Sequence, residues 1–202
     1  MQHKGYITPV LFLSLSMPIL AGLGNPGSEY EKTKHNIGFE LIDYLCAELG
    51  VKLEAKGGPW LLGITRHKGS NLILLKPTTY MNLSGKAISK AMRLHNILPQ
   101  DCLIITDDLN LPPGKLRIRK QGSDGGHNGL ANIRQELGTD AFPRMRIGIG
   151  NDFLKGKQAD YVLSTFDSDQ RKLIDEVIPM AAEAALCFVR EGIDTTMNRY
   201  NR

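Results

Sequence analysis

Apolar and polar positions follow two periods along the chain. Residues 17–24, Met-Pro-Ile-Leu-Ala-Gly-Leu-Gly, form a short continuous apolar run, the pattern of a strand buried on both faces. Ile37, Leu41, Ile42, Leu45 and Leu49 then recur at helical spacing, and Gly50 supplies a C-cap. Residues 51–55, 60–66 and 71–76 read as strands, with Lys68-Gly69-Ser70-Asn71 as a hairpin turn. A helix is predicted over 84–96. A strand over 102–106 follows, delivering Asp107 and Asp108 at its carboxyl end, and residues 115–120 alternate as a further strand. The loop 121–126 leads to a helix over 128–137 capped by Gly138, and then to a strand over 144–149. A long amphipathic helix is expected over 168–191, ended by Gly192. Strands and helices interleave with no repeat and no Ser/Gly linker. The expected fold is therefore one α/β domain, a mixed, mostly parallel twisted sheet with helices on both faces.

Composition narrows the class. With 202 residues, 42% hydrophobic and 23% charged, the chain can bury a core without disulfide or metal staples. Cys46, Cys102 and Cys187 sit in apolar patterns without CxxC spacing, so reduced core thiols are expected rather than a disulfide or zinc framework. Lys4 followed by the apolar stretch 10–20 and Ala21 has the outline of a weak secretory signal, too short to span a membrane. Cleavage there would remove the first strand. The expectation is a cytoplasmic protein in which residues 1–16 are an extension and residues 17–202 a single α/β domain, with Met17 an alternative start.

A net charge of +4 does not by itself require a nucleic-acid partner. Placement says more. Cations gather at Lys115, Arg117, Arg119 and Lys120, and again at Arg134, Arg144, Arg146, Lys155 and Lys157, whereas 167–191 leans acidic. Period two puts Lys115, Arg117 and Arg119 on one strand face, and Arg144 and Arg146 likewise. A solvated surface is the ordinary explanation of such runs. Because these strands flank the glycine-rich loop that carries His127, a phosphate backbone is the alternative they support.

Gly22, Gly24 and Gly27 match the GxGxxG dinucleotide pattern, but Pro26 removes an N–H that a pyrophosphate needs, and Ser28-Glu29-Tyr30-Glu31-Lys32 delays the helix. A tight turn explains the glycines; it leaves polar Asn25 unexplained at the carboxyl end of a strand, where open sheets bind ligands. Thr33 is a credible N-cap, which places His35 in a first helical turn, where exposed N–H groups favour a neutral, proton-accepting imidazole. Capping or plain exposure is the competing reading of such a histidine. Asp107, at a strand end, is the natural carboxylate to fix its tautomer. Asn82 and Asn128 also stand at element ends; either can be an N-cap, and either can donate to an ester oxygen that gains charge. His35, His127, Asp107 and Asp108 have no metal-ligand spacing, and neither GxSxG nor HExxH occurs.

Five ordered blocks carry a resemblance: Gly22-Leu-Gly-Asn-Pro-Gly, Thr33-Lys-His-Asn-Ile-Gly-Phe, Lys76-Pro-Thr-Thr-Tyr-Met-Asn-Leu-Ser-Gly, Asp107-Asp-Leu-Asn-Leu-Pro-Pro-Gly and Gly125-Gly-His-Asn-Gly-Leu. With Arg146-Ile-Gly-Ile-Gly after them, the chain resembles the bacterial peptidyl-tRNA hydrolase family. The resemblance implies a monomeric α/β enzyme of phosphorylase/hydrolase-like fold, without metal or cofactor. Its substrate would be the ester joining a peptide, or an N-blocked aminoacyl group, to the terminal ribose of tRNA. It implies His35 as general base, Asp107 as its orienting carboxylate, and Asn25 as sensor of the blocked amino group. Asn82 and Asn128 would hold substrate, water or oxyanion, while Tyr30, Tyr80, Met81 and His127 line the site. Arg119, Arg146 and Lys155 would face the tRNA acceptor end and phosphate backbone, and the strand-face alternation adds Lys115 and Arg117 to that set. Asn110 and Asn151-Asp152-Phe153 depart from the family pattern, as does the N-terminal extension. A non-catalytic RNA-binding module would lack His35, Asp107 or Asn82, and all are present. A small-molecule esterase would act on free aminoacyl esters regardless of salt.

Overall fold

The computed structural model describes residues 17–201, so the expected extension 1–16 lies outside the described residues. The chain forms strands β1 (Ile19–Gly22), β2 (Glu54–Ala55), β3 (Trp60–His67), β4 (Ser70–Pro77), β5 (Cys102–Asp108), β6 (Leu116–Arg119) and β7 (Arg144–Gly148). Among the described residues five α-helices accompany them: α1 (Ile37–Leu49), α2 (Ser84–Leu94), α3 (Asn128–Leu137), α4 (Gln158–Val162) and α5 (Ser168–Tyr200). The seven strands make one sheet in the order β2-β3-β4-β1-β5-β7-β6. The central strands β4, β1, β5 and β7 are parallel, and antiparallel partners close both sides.

The pattern along each strand explains its place. β1 and β5 are buried at every position, as a central parallel strand covered on both faces must be. β6 alternates buried Leu116 and Ile118 with exposed Arg117 and Arg119, as an edge strand with one open face does. One core, beneath α1 and α5, is built from Leu20, Leu74, Ile105 and Ile147 with Leu41, Ile42, Ile178 and Ala182. The other, beneath α2 and α3, contains Ile19, Ile73, Ile104 and Phe142 with Ile88 and Ile133. Buried Ile174, Val177, Ile178, Ala181, Ala182 and Ala185 give α5 its apolar stripe, and the Asp167 carboxylate caps its start by accepting from the N–H groups of Asp169 and Gln170. Gly192 breaks helical geometry at φ 79°, as expected, but helix resumes beyond it to Tyr200.

The first two glycines of the GxGxxG run serve packing. A Cβ on Gly22 would sit 2.1 Å from the Gly38 carbonyl oxygen, and one on Gly38 would sit 2.5 Å from the backbone oxygens of Ile105 and Leu23. Helix α1 thus crosses β1 and β5 at backbone contact, which fixes the segment just before it. Gly38→Ala is expected to lower stability by about 3 kcal/mol, since backbone rather than a flexible side chain must yield. Urea denaturation measures this.

Candidate active site

The carboxyl ends of β1, β4, β5 and β7 and the segments that follow them surround a cleft of about 890 Å³. Open parallel sheets bind ligands at this end, where neighbouring connections diverge. Asn25, His35, Tyr80, Met81, Asn82, Asp107, His127, Asn128, Arg146 and Lys155 line it together, although the sequence separates them by up to 130 residues.

Asp107 is the buried centre of the site. His35 Nδ1 lies 2.9 Å from its Oδ1, and His127 Nε2 lies 3.0 Å from the same oxygen. Burial alone would raise the Asp107 carboxyl; the charge of the neighbouring imidazoles in their protonated form, together with their N–H donation, overcomes this and holds it well below the usual carboxylate range. A carboxylate that stays ionised must accept, so His35 turns an Nδ1–H toward it, and the neutral ring in that tautomer keeps its lone pair on Nε2. Among the described residues no side chain bonds to that Nε2.

His127 has the opposite tautomer. Its Nδ1 accepts from the Leu130 N–H at 3.2 Å, making it the N-cap of α3, which leaves the proton on Nε2 facing Asp107 and, at 2.6 Å, the Thr106 hydroxyl oxygen. The expected substrate-lining role therefore understates this ring: its polar atoms are committed to Asp107, Thr106 and α3. Neither its position after a glycine loop nor its distance of 20 residues from Asp107 signals that contact.

Backbone geometry corrects the reading of Thr33 and His35. Residues Lys34–Asn36 form a 3-10 turn ahead of α1, and the Thr33 hydroxyl donates to the Tyr30 carbonyl oxygen at 2.8 Å instead of capping a helix. His35 thus precedes the α-helix, and its tautomer rests on Asp107 rather than on helix N–H groups.

Asn25 is held on three sides. Its N–H donates to Asn36 Oδ1 at 2.8 Å, its carbonyl oxygen accepts from Asn36 Nδ2 at 2.9 Å, and its own Oδ1 accepts from the Met81 N–H at 2.8 Å. The last bond sets the amide orientation: the Asn25 NH₂ group is the end left to donate. Asn36, which positions Asn25, escaped sequence reasoning because a buried Asn beside a His looks like any loop amide. Asn82 and Asn128 are exposed and also border a neighbouring open groove of about 870 Å³. Tyr30 does not line the cleft but packs edge-on against Tyr80, centroids 6.3 Å apart.

The cations divide. Lys155 is exposed at the cleft, where Phe153, Gln158, Ala159, Val162 and Leu163 add a wall that the sequence did not reveal. Arg146 Nη1 donates to Asp108 Oδ2 at 3.2 Å and Nη2 to the Ser123 carbonyl oxygen at 2.6 Å, while its Nε is buried without a partner among the described residues. Arg144 departs from the phosphate reading: it is 1% exposed, donates to the carbonyl oxygens of Gly122, Ser123 and Asp140, and stacks on Phe142. It anchors the loop that delivers His127. Lys115, Arg117 and Arg119 border a separate shallow depression on β6, with Arg117 paired across from Arg146 and Arg119 from Arg144.

The fold also gathers what spacing did not suggest. His35, Asp107 and His127 each offer one donor atom within 4.8 Å of the others, a grouping that could hold a metal ion. Those atoms already satisfy one another as two N–H groups on one carboxylate. Asp108 turns away to Arg146.

Comparison with known proteins accords with this geometry. The family described as peptidyl-tRNA hydrolase matches residues 19–202. The peptidyl-tRNA hydrolase of Chlorobaculum parvum is 44% identical over 187 residues, covering 92% of this chain and 98% of that protein. That of Salinibacter ruber is 48% identical over 181 residues, covering 89% and 95%. The crystal structure of peptidyl-tRNA hydrolase from Acinetobacter baumannii superposes with a TM-score of 0.85 at 35% identity, covering 92% of this chain and 94% of that one. With the family model and these relatives matching nearly its whole described length, the chain belongs to the peptidyl-tRNA hydrolase family.

Proposed function

We propose that this peptidyl-tRNA hydrolase cleaves the ester between peptide and terminal ribose by water that His35 Nε2 deprotonates, without a metal ion. The observation that carries the reading is the His35–Asp107 contact at 2.9 Å, set in a cleft lined by carboxamides and cations. As water attacks, Nε2 takes its proton and the buried carboxylate stabilises the imidazolium that forms. Asn82 and Asn128 supply neutral N–H donors for the oxygen that gains charge. Metal independence is supported by the donor set: an ion held by the three atoms that face one another would displace both imidazole N–H groups from Asp107 Oδ1.

The orientation of Asn25 gives discrimination a physical basis. An NH₂ group aimed into the cleft pairs with the carbonyl of an N-acyl substrate, whereas a free α-ammonium brings donors against donors. Tyr80 lines the cleft, and Tyr30 supports it by packing edge-on against its ring. Arg146, Lys155 and the β6 row of Lys115, Arg117 and Arg119 lie where they can follow the tRNA phosphates, with Arg144 structural. The enzyme acts as a cytoplasmic monomer that recycles prematurely released tRNA.

Incubation with N-acetyl-aminoacyl-tRNA and unblocked aminoacyl-tRNA, with and without EDTA, tests class and metal independence together. The blocked form is expected to be cleaved selectively, at the same rate with EDTA, and binding should weaken as salt rises. Equal cleavage of both forms removes the role given to Asn25. Loss of activity on chelation removes the metal-free mechanism.

A further inference from the structure

Helix α4 forms one wall of the cleft through Gln158, Ala159, Val162 and Leu163, yet none of its five residues is buried. A helix this short, without an apolar face in the core, depends for its position on a few polar contacts. The most concentrated set comes from the residue next to His35. Lys34 is 3% exposed; its ammonium donates to Ser164 Oγ at 2.9 Å and to the Thr165 carbonyl oxygen at 2.5 Å, directly after α4. Its backbone N–H donates to the Ser164 carbonyl oxygen at 2.9 Å, and Thr33 pairs with Thr165 as an isolated antiparallel bridge. The same ammonium lies 4.6 Å from the Tyr161 ring centroid and 5.3 Å from that of Phe166. Tyr161 in turn donates its hydroxyl to the Ile149 carbonyl oxygen at 2.7 Å, tying α4 to the end of β7.

We propose that Lys34 is a positioning residue that latches α4 to the catalytic turn and so sets the aperture between His35 and the far wall of the cleft. Catalysis on one side of Lys34 and substrate enclosure on the other are joined through one side chain. A lysine buried this far costs desolvation, which lowers its pKa against the opposing field of Asp167. Two oxygen acceptors and two aromatic faces offset that cost. A plain surface tether would not need a buried charge. The inference rests on the hydrolase reading for its kinetic consequence, but the structural latch can be tested without substrate.

Lys34→Met keeps the stem and removes the charge and donors; Lys34→Arg keeps both, with a fork that reaches the same acceptors. For N-acetyl-aminoacyl-tRNA, Lys34→Met is expected to raise KM about tenfold with kcat within about threefold, because the wall binds substrate without touching the reacting atoms. Lys34→Arg should return KM to within about twofold of the parent. Amide hydrogen exchange on free protein should accelerate over residues 158–165 in Lys34→Met and stay unchanged in α2 and α3. Ser164→Ala, at an exposed position, removes one acceptor without threatening the fold and should give the same pattern in weaker form. Unchanged exchange over 158–165, or acceleration spread through the whole sheet, overturns the latch. Local acceleration with an unchanged KM overturns the aperture, and so does an arginine variant no better than methionine. If the parent does not cleave the blocked substrate, the hydrolase reading fails while the exchange result still decides the latch.

Discussion

Replacing His35 with alanine is expected to slow single-turnover cleavage of N-acetyl-aminoacyl-tRNA by about 10²–10⁴-fold, the range a positioned general base contributes. Affinity for deacylated tRNA should stay within about twofold, because the phosphate contacts are made elsewhere. His35 is only slightly exposed, with its side chain at 11%, and its ring touches His127 at a centroid distance of 5.0 Å. A small loss of packing therefore accompanies the substitution, and His35→Asn, closer in size, controls for it. The two measurements separate chemistry from binding: a base removed lowers kcat and kcat/KM together, whereas a binding residue removed raises KM. Residual turnover near the parent rate would mean that another group activates the water.

Asp107→Asn carries the second large effect, an expected loss of about 10⁴-fold in kcat with little change in fold. The carboxamide can still accept from both imidazoles through one oxygen, so geometry survives; what disappears is the charge that stabilises the imidazolium formed as water is deprotonated. The pH dependence has a definite sign. Asp107 has a folded pKa depressed below its unfolded value of about 4. Its ionised form thus contributes stability in full above that unfolded value, and the contribution is lost only as pH falls through the lower folded value. Between pH 5 and 9 the carboxylate does not titrate, so any acid limb of kcat/KM in that window belongs to another group. In urea titrations the stability difference between parent and Asp107→Asn should therefore not shrink between pH 7 and pH 5. A difference that shrinks on acidification from pH 7 to 5 would place the Asp107 pKa in the ordinary range and remove its assigned role.

How much of this was legible in the sequence depended on whether the signal was local. Helix α1 was readable from Ile37 to Gly50 because its apolar stripe and its left-handed C-cap lie within its own residues. Helix α3 was readable from Asn128 to Gly138 for the same reason. Helix α4 was not: with no buried side chain it has no apolar periodicity. The alternation of Arg144 and Arg146 fixed a shared strand face, but not that the loop 121–127 folds over that face and takes Arg144 as its anchor. The resemblance named Asn25, His35 and Asp107 residue by residue. What it and the spacing both left open is the sharing of one carboxylate oxygen by two imidazoles in opposite tautomers. That arrangement joins segments 72 and 20 residues apart and exists only once β5, the turn before α1 and the loop before α3 are brought together.

The central claim is that, of two histidines on Asp107, His35 alone presents an unprotonated Nε2 to the cleft. Nitrogen-15 NMR of the imidazole side chains at neutral pH reads this directly. The account predicts His35 protonated on Nδ1 with a free Nε2, and His127 protonated on Nε2 with Nδ1 accepting. A His35 ring protonated on Nε2, or two rings in the same tautomer, would contradict it.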